Sequence, residues 1–167
     1  MAQTLTYTYL KPSLLHEQDG SLGLALATSG GSTPEGAAAH PYFFSGFMEH
    51  PDVIAASLLV VARVARTRYY TPPGMVAAIL RAADPVVTST REGLRFESFS
   101  ACCGVYARLD VDSSALDASH SAVGVTNVDV NPPLRTALAS LRAGEPAGAV
   151  RARFGSGPGV PRWCWQD

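Results

Sequence analysis

Between His50 and Thr71 the chain reads PDVIAASLLVVARVARTRYY, and nothing else in the sequence constrains the fold so strongly. Pro51 suits a first helical turn, where its missing N–H has no partner to lose. Asp52 complements the positive end of the helix dipole. Val53, Val60 and Val64 fall on one line, with Ile54, Leu58, Val61 and Ala65 beside it. Only a narrow wedge holding Arg63 and Arg66 is left for solvent. The spacing therefore predicts a mostly buried helix from Pro51 to about Tyr69, stopped by TPPG at 71–74.

The flanking sequence has a different period. Residues 96–111, FESFSACCGVYARLDV, place Val105, Ala107, Leu109 and Val111 on one face and Tyr106, Arg108 and Asp110 on the other. Alternation with period two is the mark of an antiparallel sheet with one face on the core and one in water. Turns are expected at TREG and SACCG. Further strands are expected at 3–10, 20–31, 85–90 and 149–154, and a loop at 30–39. The aromatic PYFFSGF at 41–47 is expected to pack across the core edge. A short helix is expected from Met75 to Ala82. In GVTNVDVNPPLRTALASLRAG, Asn131 is a natural N-cap and Pro132 and Pro133 open a helix. Leu134, Leu138 and Leu141 form its buried stripe, and Gly144 ends it. The fold class that follows is α+β: an antiparallel sheet packed against one long buried helix and one or two shorter helices. Residues 1–154 read as a single domain and 155–167 as an irregular tail.

Composition excludes several function classes. With 167 residues, 47% hydrophobic and 16% charged, the chain can bury a core and is not a disordered one. A net charge of −1 argues against a generally basic nucleic-acid binder. Lys11 is the only lysine among 13 basic residues, a bias that fits a high-GC genome and lowers the weight of the arginines. The longest apolar run, VIAASLLVVA at 53–62, falls short of the roughly 20 residues a membrane helix needs. The first residues lack the basic start and apolar block of a secretory signal. Three cysteines with no repeating spacing do not make a disulfide framework. No membrane contact and a cytoplasmic location are the expectations.

The chemical motifs are weak. Cys102 and Cys103 lack C-x2-C spacing, and neighbouring side chains on extended backbone diverge, so no metal site is expected. His120 is the base nearest in sequence to either thiol, and Asp129 is the acidic residue with least structural explanation. Cys102, Cys103, His120 and Asp129 are thus the candidate catalytic set. From Asp110, DVDSSALDASHS matches the first ligands of a calcium loop, but Ala115 replaces the turn glycine and Ser121 the bidentate glutamate. A strand end with a polar loop is the expectation there. ATSGGSTPEG lacks the lysine of a phosphate loop, since Gly31 precedes Ser32. Arg63, Arg66, Arg68 and Tyr70 combine cations with an aromatic in a way that can grip phosphates and stack bases. They are the candidate nucleic-acid-binding residues.

The order of YTYLKPS, GLALATSGG, PYFFSGF, ARTRYYTPP, FESFSACCGVYARLDV and GVTNVDVNPPLRTALASLRAG resembles the N-terminal part of bacterial SWIM zinc finger proteins, chiefly actinobacterial, over roughly residues 5–150. That family is named for a C-terminal C-x-C…C-x-H zinc motif associated with DNA or protein interaction. The motif is absent from this sequence: Cys164 stands between Trp163 and Trp165 and no histidine follows. No zinc ligand transfers, and no cofactor is expected. The resemblance implies a region upstream of a recognition finger. The leading expectation is a non-enzymatic interaction module that docks a protein partner or self-associates. A nucleic-acid-binding accessory domain and a cysteine-dependent enzyme are the alternatives.

Overall fold

The computed structural model describes residues 8–18, 21–70, 74, 83–143 and 150–155. Among them the chain forms eleven strands and two α-helices, an α+β fold. The strands are β1 (Leu14–Gln18), β2 (Ser21–Leu26), β3 (Thr28–Thr33), β4 (Gly36–Ala38), β5 (Phe44–Met48), β6 (Val86–Ser89), β7 (Gly93–Phe99), β8 (Tyr106–Asp112), β9 (Leu116–Ser121), β10 (Gly124–Val128) and β11 (Val150–Phe154). Helix α1 spans Pro51–Arg66 and α2 spans Pro132–Ala143.

Instead of one antiparallel sheet there are two. The first runs β1-β2-β11-β5-β9 and the second β4-β3-β10-β6-β7-β8. The first is mixed, because β11 lies parallel to β2 while pairing antiparallel with β5. Two stretches of chain belong to both sheets. β2 passes through Ala27 into β3, and β8 passes through a 3-10 turn at Ser113–Ala115 into β9. The inner faces meet where Phe96 of β7 stands edge-on to Phe154 of β11, at 5.7 Å between ring centroids. Phe43, Phe44, Leu94, Val128 and Val130 complete this apolar core.

The expected loop at 30–39 is the β3–β4 hairpin, and the expected polar loop after Asp112 contains β9. Both segments are small and polar, and both form strands because a neighbour supplies the ladder. β4 is read off β3, and β9 off β5. The expected strand at 3–10 falls mostly outside the described residues, as do the helix at 75–82 and Gly144. Residues 8–10 are not strand.

Helix α1 starts at Pro51 as expected and ends at Arg66, three residues before Tyr69. It is amphipathic and not mostly buried. Ile54, Ala55, Leu58, Val61, Ala62 and Ala65 are buried, whereas Val53 and Val60 are 57% and 55% exposed. Of the valine line, Val53 and Val60 therefore face solvent and Val64 is half-buried. Valine content made the helix look all-apolar, but only the Ile54–Leu58–Val61 stripe has a sheet to pack on. That stripe lies across β7 and β8, where Ser98 donates from its hydroxyl to the Val61 carbonyl at 2.6 Å. Helix α2 is capped by Asn131, whose Oδ1 accepts from Leu134 N at 2.9 Å, and it buries Leu134 and Leu138.

Candidate functional site: an aromatic wall at the β7–β8 hairpin

The β7–β8 register pairs Arg95 with Asp110, Glu97 with Arg108 and Phe99 with Tyr106. Leu94, Phe96 and Ser98 turn inward, so these pairs occupy the outer face. Asp110 accepts from Arg95 Nε at 2.8 Å and from Arg108 Nε at 2.6 Å. Those bonds, Arg108 first, hold its carboxyl below the usual carboxylate range. The Tyr106 hydroxyl donates to Glu97 Oε1, and its ring lies 4.8 Å from that of Phe99.

The hairpin tip is tied to the end of α1. Ala101 N donates to Thr67 O at 2.9 Å, so the residues after the helix, Arg68, Tyr69 and Tyr70, emerge beside the hairpin. Tyr69 is 97% exposed, Tyr70 71% and Phe99 61%, with Val105 and Tyr106 also open to solvent. Phe99, Val105 and Tyr106 thus stand exposed on hydrogen-bonded hairpin backbone, and Tyr69 and Tyr70 are exposed just past the helix end that the hairpin tip binds.

Cys102 and Cys103 lie in this tip, and their backbone is not extended. Ser100 O accepts from Cys103 N at 2.8 Å, and Cys103 has φ 58°, in the left-handed region. Both thiols are exposed. The buried Ser100 hydroxyl accepts from Val105 N at 3.0 Å and sits 3.5 Å from Cys102 Sγ. That hydroxyl, followed by backbone contacts at Gly104 and Tyr69, lowers the Cys102 thiol to about 7. His120 is on the other sheet, stacked on Tyr42 at 4.3 Å. No hydrogen bond joins it to either thiol.

Asp129 has a structural role. Its Oδ2 accepts from Ser13 N at 2.9 Å and from Asn131 Nδ2 at 2.7 Å. The candidate catalytic residues therefore occupy three separate places: Cys102 and Cys103 at the hairpin tip, His120 on β9, and Asp129 before α2. Among the described residues no group of histidine, cysteine and acidic side chains converges for a metal ion.

The basic set also divides. Arg63, in the last turn of α1, and Arg68, two residues past its end, are exposed. Arg66 is half-buried, its Nε has no hydrogen-bond partner among the described residues, and its charge acts on Asp84 and Arg135. Sequence reasoning missed Phe99 and Tyr106 as a surface feature. Their alternation was visible, but their exposure depends on no described element covering the outer face of β7 and β8.

These elements define an α+β protein with two sheets, one amphipathic helix laid across the second, and an aromatic wall that no described residue covers. The chain matches no family model, no curated protein and no solved structure. Among the described residues no helix is long and apolar enough to cross a membrane.

Proposed function

We propose that this chain is a non-enzymatic interaction module that docks a protein partner on the wall formed by Tyr69, Tyr70, Phe99 and Tyr106. One observation carries the reading. Phe99 and Tyr106 stand exposed in contact on a paired hairpin, with exposed Tyr69 and Tyr70 just past the helix end bound to its tip, and such aromatic anchors dominate protein recognition because they bury much area at little entropic cost. Exposed Arg63 and Arg68 beside them favour an apolar partner segment flanked by carboxylates. The likeness of several sequence motifs to the region upstream of a SWIM zinc finger supports the same reading.

A peptide array tests this. Aliphatic peptides flanked by Glu are expected to bind, and those flanked by Lys are not. Binding is expected to be lost in the double variant Tyr69→Ser/Phe99→Ser. Equal binding by wild type and variant, or none at all, overturns the reading.

A second reading is single-stranded nucleic-acid binding, favoured by the emergence of Arg68, Tyr69 and Tyr70 next to Arg63. Aromatic stacking with phosphate contacts predicts an affinity that falls steeply with salt. A gel shift that shows no complex with DNA at low salt disposes of it. Cysteine-dependent catalysis has less support, since the contacts of Cys102 include no base.

A further inference from the structure

The second sheet ends on β8, seven residues long and regularly paired along its whole length with β7. Of the other edges, β1 is five residues long and regularly paired with β2, and the remaining two are blunted. β4 has three residues, and β9 carries a register shift against β5. In an antiparallel pair, main-chain groups point alternately toward and away from the neighbour. Ser100 N donates to Val105 O, and Ser113 N to Glu92 O, each at 2.8 Å. Residues 105, 107, 109, 111 and 113 therefore face β7. The N–H and C=O groups of Tyr106, Arg108, Asp110 and Asp112 point outward and have no strand partner among the described residues.

We propose that this edge pairs with the β8 edge of a second copy, antiparallel about a two-fold axis at Leu109. This rests on the reading of the chain as an interaction module, and adds that one of its partners is itself. Charge selects the register. Outward-facing groups must meet outward-facing groups, so even-numbered positions oppose even-numbered ones, odd-numbered positions oppose odd-numbered ones, and the axis passes through a residue. An axis at Arg108 sets arginine against arginine, and an axis at Asp110 sets aspartate against aspartate. The axis at Leu109 sets Arg108 against Asp110 of the second copy, and Asp110 against its Arg108. With the native β7 pairs, each row then reads Glu97, Arg108, Asp110, Arg95 across the two copies, alternating in sign.

Sedimentation and native mass spectrometry of the full chain test this, with circular dichroism to confirm folding. The wild type is expected to be a dimer that dissociates on dilution. Arg108→Asp alone and Asp110→Arg alone are each expected to be monomeric, because each places like charges opposite one another. An equimolar mixture of the two is expected to restore a dimer holding one chain of each kind. A wild type that stays monomeric at high micromolar concentration overturns the proposal, as does either charge variant that stays dimeric. A mixture that fails to pair overturns it too. A monomeric wild type that still binds Glu-flanked peptides through Tyr69 and Phe99 would sink the self-pairing alone. A dimer that binds no peptide would sink the docking reading alone.

Discussion

Asn131 binds Asp129 through one end of its side chain and caps α2 with the other. Its Nδ2 donates to Asp129 Oδ2 at 2.7 Å and to Ser13 O at 2.9 Å, while its Oδ1 accepts from Leu134 N. Asp129 completes the link by accepting from Ser13 N. These bonds fasten the chain ahead of β1 to the start of α2. Asp129→Ala leaves the buried Ser13 N–H without an acceptor and frees the Asn131 amide. The expected cost is about 1–3 kcal/mol of unfolding free energy, read from urea melts. Asn131→Ala is expected to cost a similar amount, and the double variant less than the sum, because the two residues share one network.

Asp84 should make stability depend on acid. Burial raises its carboxyl above the usual range, opposed by the Tyr9 hydroxyl, which donates to Oδ2 at 2.9 Å. A folded-state pKa above the unfolded one means that the native state holds the proton more tightly. This group therefore costs stability above its raised pKa, and the cost disappears as pH falls below the ordinary aspartate value. Asp84→Asn, which keeps an oxygen for Tyr9, is expected to gain on the wild type at neutral pH and to lose that gain in acid. Urea midpoints at the two pH values check it, and a constant difference would contradict it.

Alkylation should find Cys102 reactive near neutrality. With the thiol lowered to about 7, chiefly by Ser100, the iodoacetamide rate should reach half its plateau near that pH. Ser100→Ala is expected to move the midpoint upward and slow the reaction at pH 7. Mass spectrometry assigns the label to Cys102 or Cys103.

Helix α1 offers a direct check on which of its faces is buried. Leu58→Ala, at the base of the buried stripe, is expected to cost about 2–5 kcal/mol. Val60→Ala, on the exposed flank, is expected to stay within about 0.5 kcal/mol when measured dilute enough to keep the chain monomeric. Equal costs would mean that the helix is buried all round.

A last substitution tests the β7–β8 corner. Gly93 has φ 148°, and a Cβ there would run into the Val111 carbonyl of β8. Gly93→Ala is expected to cost about 1–3 kcal/mol through strained backbone and a displaced strand start. Thermal melting measures it.

Local sequence determined a good part of this molecule. The start of α1 at Pro51, the Asn131 cap and the Leu134–Leu138 stripe of α2 depend on neighbours a few residues away, so their spacing alone specifies them. The inward and outward alternation of β8 is legible for the same reason. Tertiary structure decided the rest. Whether Val53 and Val60 are covered depends on which elements lie beside α1, and whether 28–38 and 116–121 become strands depends on partners distant in the chain. The candidate site divides in the same way. Asp129 looked unexplained because Ser13, its partner, is 116 residues away. The aromatic wall and the open β8 edge exist because nothing described packs over them, and burial is a property of contacts that no stretch of sequence carries by itself.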